Sequence, residues 1–182
     1  MTEGEPRRIG VSIELKPHAY DPVTNPELFD GVLARRLIAF VIDLIIIAIP
    51  VLIAGVFMAA ATIATLGLAA IFFAVFSPLY WPLIVIWALC YYGFTFGSPA
   101  SATIGMRVMD LEMRTWYGSP AYFVLGAVHA IVFWLTISFL TPLILLLGFF
   151  NERRRLLHDM LVGTVVINNP ARAQALRQTG NT

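Results

Sequence analysis

Between Leu37 and Gly97 the chain runs for 61 residues with one charged side chain, Asp43. A second block, Ala121 to Phe150, runs for 30 residues with none. Half of the 182 residues therefore hold one of the 23 Asp, Glu, Lys and Arg side chains, and the other half hold 22. A helix on a soluble domain must show water a polar face, and these blocks offer none. Uncharged runs beyond roughly 18 residues read as membrane-spanning. The pattern specifies an all-α integral membrane protein whose main partner is the lipid bilayer. A net charge of +1 argues against a nucleic-acid binder, and a single cysteine, Cys90, argues against a disulfide scaffold.

The first block suits two full transmembrane helices of about 25 residues joined by a tight turn. The first runs from about Leu33 to Ala60. Thr62, Thr65 and Gly67 mark the turn, and the second helix ends near Phe96, with Pro78 or Pro82 able to kink it. Tyr80, Trp81, Trp87, Tyr91 and Tyr92 suit headgroup anchoring, and Gly93-x-x-x-Gly97 permits a close helix contact. Arg35 and Arg36 precede the pair, Arg107 and Arg114 follow it, and the turn between is uncharged. Both flanks, the N-terminal one included, are then cytoplasmic.

The third apolar segment is too long for one comfortable span and too short for two. A third span would place Arg153, Arg154 and Arg155 outside, against the positive-inside rule. A re-entrant hairpin bent near Thr141-Pro142 keeps them inside, and this reading is favoured. Glu152 to Val162 follows as an interfacial amphipathic helix. Leu156, Leu157, Met160 and Leu161 share one face, with Arg154, Arg155, His158 and Asp159 mostly elsewhere. The arginines are drawn to anionic lipid at roughly 1 kcal/mol each. Gly163 ends that helix, and Thr164 to Ile167 is β-branched and extended. Residues 1–31 form a polar cytoplasmic arm without a secretory signal, and 168–182 a polar tail.

Asp43 stands seven positions after Arg36, so both point the same way, about 10 Å apart along the axis. Arg36 can snorkel to the headgroups, whereas Asp43 cannot. An Asp at that depth costs roughly 2.5–3.5 kcal/mol, and so must face a partner or a wet cavity. It is either an ion- or proton-binding carboxylate or a structural staple to a neighbouring helix. His129, nine residues into the third block, could share that depth and relay protons to Asp43, or simply bond a backbone or serine partner. Arg36 with Asp159 reads as a cytoplasmic-side clamp, and Arg107 as interfacial. The histidines and Cys90 are scattered without metal-ligand spacing, and no phosphate loop or nucleophile elbow occurs, so no enzyme and no cofactor are expected.

The residues from Arg36-Leu-Ile-Ala-Phe-Val-Ile to Asp43 resemble the Arg-x6-Asp signature that opens the RDD family of bacterial multi-pass membrane proteins. Leu157-His158-Asp159-Met-Leu-Val-Gly163-Thr164-Val165-Val166 is similar to that family's closing His-Asp-Leu-Leu-x-Gly-Thr-x-Val segment. Ala102-Thr103-Ile104-Gly105-Met106-Arg107 resembles its Thr-Pro-Gly-Lys-Arg junction, with Ile104 and Met106 in place of Pro and Lys. The resemblance implies an RDD-like membrane domain over 32–167, in which Arg36, Asp43 and Asp159 are the name-giving residues. It implies a role in transport. The reading is thus transport of a small ion or solute, with Asp43 as binding site and the ligand unspecified. The alternative is a non-transporting accessory or scaffold protein in which the Arg and Asp residues are structural. So small a bundle is expected to form a homo-oligomer.

Overall fold

Val32–Ala64 form one 33-residue helix, α1, about 50 Å long and so longer than the roughly 30 Å hydrocarbon core. The computed structural model describes residues 19–180, and the backbone alone over 140–147. Pro50 lies inside α1, where neither its ring nor its missing N–H ends the helix. The chain reverses at Thr65-Leu66-Gly67. Gly67 takes φ +95°, and the Thr65 hydroxyl donates to the Ala61 carbonyl (2.7 Å) and accepts from Ala69 N (2.9 Å).

The second apolar helix is divided. Leu68–Phe76 (α2) and Tyr80–Phe96 (α3) flank a 3-10 turn, Ser77–Leu79, that contains Pro78. The Tyr80 hydroxyl donates to the Phe73 carbonyl at 2.7 Å and ties the two pieces together. Residues 26–64 and 68–96 are long and apolar enough to cross a membrane. Among the described residues, packing concentrates at one end of the bundle. Val32, Ala39, Asp43 and Ile47 of α1 and Tyr91, Tyr92, Gly93 and Phe96 of α3 are buried, whereas α2 buries none of its residues.

Ile104–Val108 (α4) is a short helix against α1, and Phe123–Phe150 (α5) takes up the third apolar block. The two glycines of Gly93-x-x-x-Gly97 do the work expected of them. A Cβ on Gly93 would lie 2.7 Å from the Phe123 ring, and one on Gly97 2.9 Å from Phe123 N. A Cβ on Gly126 would lie 2.7 Å from Phe96 Cβ, so α3 and α5 touch almost backbone to backbone. Further along, Phe133 meets Phe40 of α1 at 5.4 Å between ring centroids, and Gly148 abuts Leu33 and Leu156.

The chain is mostly helical, but the all-α expectation misses a sheet. Leu111–Thr115 (β1) pairs antiparallel with Thr164–Asn168 (β2), from Leu111 opposite Asn168 to Thr115 opposite Thr164. The β-branched run foreseen as extended is β2, and all five of its residues are buried. Its partner carries no such run, and the pairing spans the whole of α5, so no hairpin turn announces it.

Two other expectations are corrected. The helix foreseen over Glu152–Val162 begins only at Leu157 (α6, Leu157–Val162), and it is turned the other way. His158 and Asp159 point into the protein at 1% and 0% exposure, while Leu161 is exposed. Partners for the two polar side chains inside the fold outweigh the apolar stripe. The polar tail is also ordered. Pro170–Gly180 forms a helix, α7, whose Arg177 pairs with Glu27. Asn168 Nδ2 bonds the Glu27 and Asp30 carbonyls at 2.8 and 2.9 Å.

Candidate functional site

Asp43 lies on the inner face of α1 and is 3% exposed. The loop before α4 closes over it. Thr103 Oγ1 donates to Oδ2 at 2.6 Å, Gly105 N donates to Oδ1 at 2.8 Å, and the Tyr91 hydroxyl donates to Oδ1 from α3. The same groups serve α4. Thr103 Oγ1 accepts from Met106 N at 3.1 Å as an N-cap, and the Tyr91 hydroxyl accepts from Ile104 N at 3.3 Å. Gly105 is required by contact. A Cβ there would fall 2.2 Å from the Ala39 carbonyl oxygen. One carboxylate thus fastens α1, α3 and α4 together.

The second carboxylate, Asp159, sits at the start of α6 with no exposure. Arg36 grips it with two guanidinium nitrogens: Nη1 on Oδ2, and Nη2 on Oδ1 at 3.0 Å. Asp159 Oδ2 also accepts from Leu156 N at 2.9 Å, as the acid of a helix N-terminus does. The Arg36–Asp159 clamp read from the sequence is present. Removing one member of such a buried pair typically costs ~3–5 kcal/mol, because it strands the other charge.

Two imidazoles complete this cluster. His158 Nε2 is 3.2 Å from Arg36 Nη2 and 3.6 Å from Asp159 Oδ1. His129, from α5, presents Nε2 3.8 Å from Asp159 Oδ1 and Nδ1 3.3 Å from Thr164 Oγ1. The donor atoms of His129, His158 and Asp159 all lie within 4.8 Å of one another, a set that could hold a metal ion. Burial is the main cause that holds His158 down at about 3, below its ordinary 6.5. Burial is the largest influence on Asp159 and would raise it, but the charge and hydrogen bonding of Arg36 together with the two imidazoles outweigh it and hold the carboxyl well below the usual range.

Above this floor a cleft of about 770 Å³ opens between α1 and α5. Its wall is largely apolar, with Phe40, Phe133 and Met106 among the lining residues, and its ionisable lining residues are Arg36, Asp43, His129, Arg154 and His158. A space of that volume is within the ordinary range of small-ligand sites.

The expected residues therefore divide into two groups. Arg36, His129 and Asp159 come together. Asp43 lines the same cleft but keeps its own set of partners, and among the described residues no bond joins it to His129. In place of Asp43, the acid beside His129 is Asp159, 3.8 Å away, because His129 lies beside α6 and β2. Arg107 joins neither group and bonds the Ala102 carbonyl (3.1 Å) and Ser98 Oγ (2.6 Å). The lipid-facing role foreseen for Arg153–Arg155 is corrected in part. Arg155 is 8% exposed, lies 4.3 Å from the Trp116 ring centroid, and bonds the Thr164 and Asp159 carbonyls at 2.8 and 2.9 Å. Arg153 bonds the Tyr20 carbonyl, and the half-buried Arg154 bonds that of Phe149.

His158, Tyr91, Thr103, Gly105 and Thr164 were not foreseen as site residues. The signals existed in part. Thr103 and Gly105 stand in the junction segment, and His158 adjoins Asp159. Tyr91 reads as an interfacial aromatic and nothing in its neighbours separates it from Tyr92.

A family model described as the RDD family matches residues 31–163. Neither a curated protein nor a solved structure matches the chain.

Proposed function

We propose, for a chain that belongs to the RDD family and is accordingly a membrane protein, that it moves a small ion or solute across the cell membrane, alone or as a transporter component. The observation that carries this reading is the convergence of Arg36, His129 and His158, which line a largely apolar cleft, on the buried carboxylate of Asp159. Ionisable groups in such surroundings are expensive and mark ion or substrate pathways. Asp43 takes the structural role, its carboxylate fastening α1 to α3 and α4, whereas the Asp159 cluster beside it adds two imidazoles, His129 and His158, and is the working polar site.

The third apolar segment reads as re-entrant. Phe123 packs on Gly97, Gly126 on Tyr92 and Phe96, and Phe133 reaches Phe40 of α1. α5 thus leaves the packed end of the bundle, yet Gly148 abuts Leu33 back at that end. A straight helix would carry Gly148 about 37 Å from Phe123. α5 is helical without a break from Phe123 to Phe150. The return therefore takes the form of a sharp bend within it near Thr141-Pro142, which accounts for both contacts and keeps Arg153–Arg155 cytoplasmic, with the N-terminal arm, in an inner membrane.

The experiment is flux into proteoliposomes holding the purified full-length chain, with protons and common mono- and divalent cations as probes. Saturable flux supports transport; none across that set contradicts it. The accessory-protein reading draws on the saturation of both carboxylates by protein donors. It predicts no flux and recovery of a stoichiometric membrane partner.

A further inference from the structure

We propose that His129, His158 and Asp159 form a binding site for a divalent transition-metal ion, and that Arg36 is a tethered cation competing with that ion for it. Asp159 Oδ1 is 3.6 Å from His158 Nε2 and 3.8 Å from His129 Nε2, and all three donors fit within 4.8 Å. Tetrahedral zinc, with bonds of about 2.0–2.1 Å, spaces its ligands by about 3.3 Å. Small side-chain rotations would close the set around an ion. Two imidazoles and one carboxylate are borderline-soft and hard donors that together suit zinc and its neighbours rather than magnesium or calcium. Three protein ligands leave a fourth position for water or an exchanging ligand.

Arg36 already behaves as the ion would. Its Nη2 stands 3.0 Å from Asp159 Oδ1 and 3.2 Å from His158 Nε2, between two of the three ligands. A guanidinium only donates, so His158 Nε2 must present its lone pair, the state a metal requires. His129 has its other nitrogen 3.3 Å from Thr164 Oγ1, the outer partner that orients a ligating imidazole. Exchange has a route, since Arg36, His129 and His158 all line the cleft. When Arg36 swings out, one carboxylate and two neutral imidazoles remain, and a dication compensates the stranded charge.

The inference rests on the same cluster as the transport reading. Metal binding is measured on detergent-purified protein without flux, so either can fail without the other. Co2+ serves as the spectroscopic probe and Zn2+ as the competitor, with wild type, Arg36→Gln and Arg36→Gln/His129→Ala. Arg36→Gln should bind Co2+ roughly tenfold more tightly than wild type, with tetrahedral visible bands that Zn2+ abolishes. Its thermal midpoint should fall without metal and recover with Zn2+, and the double variant should lose binding and recovery. Wild-type affinity in Arg36→Gln, or undiminished binding in the double variant, would overturn the proposal. If Arg36→Gln does not purify folded, Arg36→Lys replaces it, since lysine keeps the charge but loses the two-pronged grip. Tighter Co2+ binding than wild type then supports the site, and unchanged affinity overturns it.

Discussion

Gly105 and Asp43 show how little freedom individual positions have at the packed end. A methyl group on Gly105 meets a backbone carbonyl rather than a side chain that could turn aside. Gly105→Ala must push α4 off α1, at a cost of about 1–3 kcal/mol or more, read as a lower thermal midpoint in detergent. Gly55→Ala, with nothing within 4 Å of its Cβ, should leave the midpoint unchanged or raise it. His158 makes the fold sensitive to acid. The unfolded chain takes up a proton on this residue below its ordinary 6.5, whereas the folded chain does so only near 3. Its contribution is fully present above about pH 6.5 and falls as the pH drops towards 3. Asp159 adds stability above its ordinary 3.8 that is lost as the pH falls below that value, so both act in the same direction. Unfolding scans from pH 7.5 to 5 should show a falling midpoint, and His158→Asn should flatten it; a level wild-type profile would contradict the burial of neutral His158. At this scale the sequence was half legible. Asp43, Arg36 and Asp159 stood out by charge and spacing. Tyr91 and Gly105 did not, because what singles them out is a contact with α1 across about fifty or more positions of chain.

At the scale of elements, hydropathy was a good guide where lipid decides the outcome and a poor one where protein does. α1 and the α2–α3 pair follow the apolar runs within a few residues, and the proline-bearing break falls at Pro78. β1 was missed, since its pairing with β2 depends on both ends of α5 coming back to one place. α6 was read with the wrong face inward, because an amphipathic stripe says which residues are apolar and not which surface is covered. The proposed return of α5 is the feature most open to test. A reporter fused after Thr182 should be active only in its cytoplasmic form; activity only in the periplasm would establish three spans instead.

The whole molecule has one packed end and one bare end. α4 and α6 pack near the cleft, while the apolar side chains of α2 and of the far halves of α1 and α3 are mostly exposed. Lipid covers such a surface without cost, but a pathway needs walls, and one copy supplies few. A homo-oligomer is therefore expected; light scattering in detergent should give a mass above one 20.1 kDa chain after subtraction of detergent, and a monomer would count against it. Membrane class and family were legible from two apolar blocks and two short motifs. The transport site was legible only as a list of ionisable residues, because grouping Arg36 and His129 with Asp159 rather than Asp43 requires the fold. That grouping is the central claim. The direct measurement is flux per folded protein in proteoliposomes for His129→Asn and Asp43→Asn beside wild type. His129→Asn should abolish flux in protein that remains folded, whereas Asp43→Asn should lower the thermal midpoint and leave the folded fraction conducting at the wild-type rate. Flux that survives His129→Asn, or that disappears in fully folded Asp43→Asn, would contradict it.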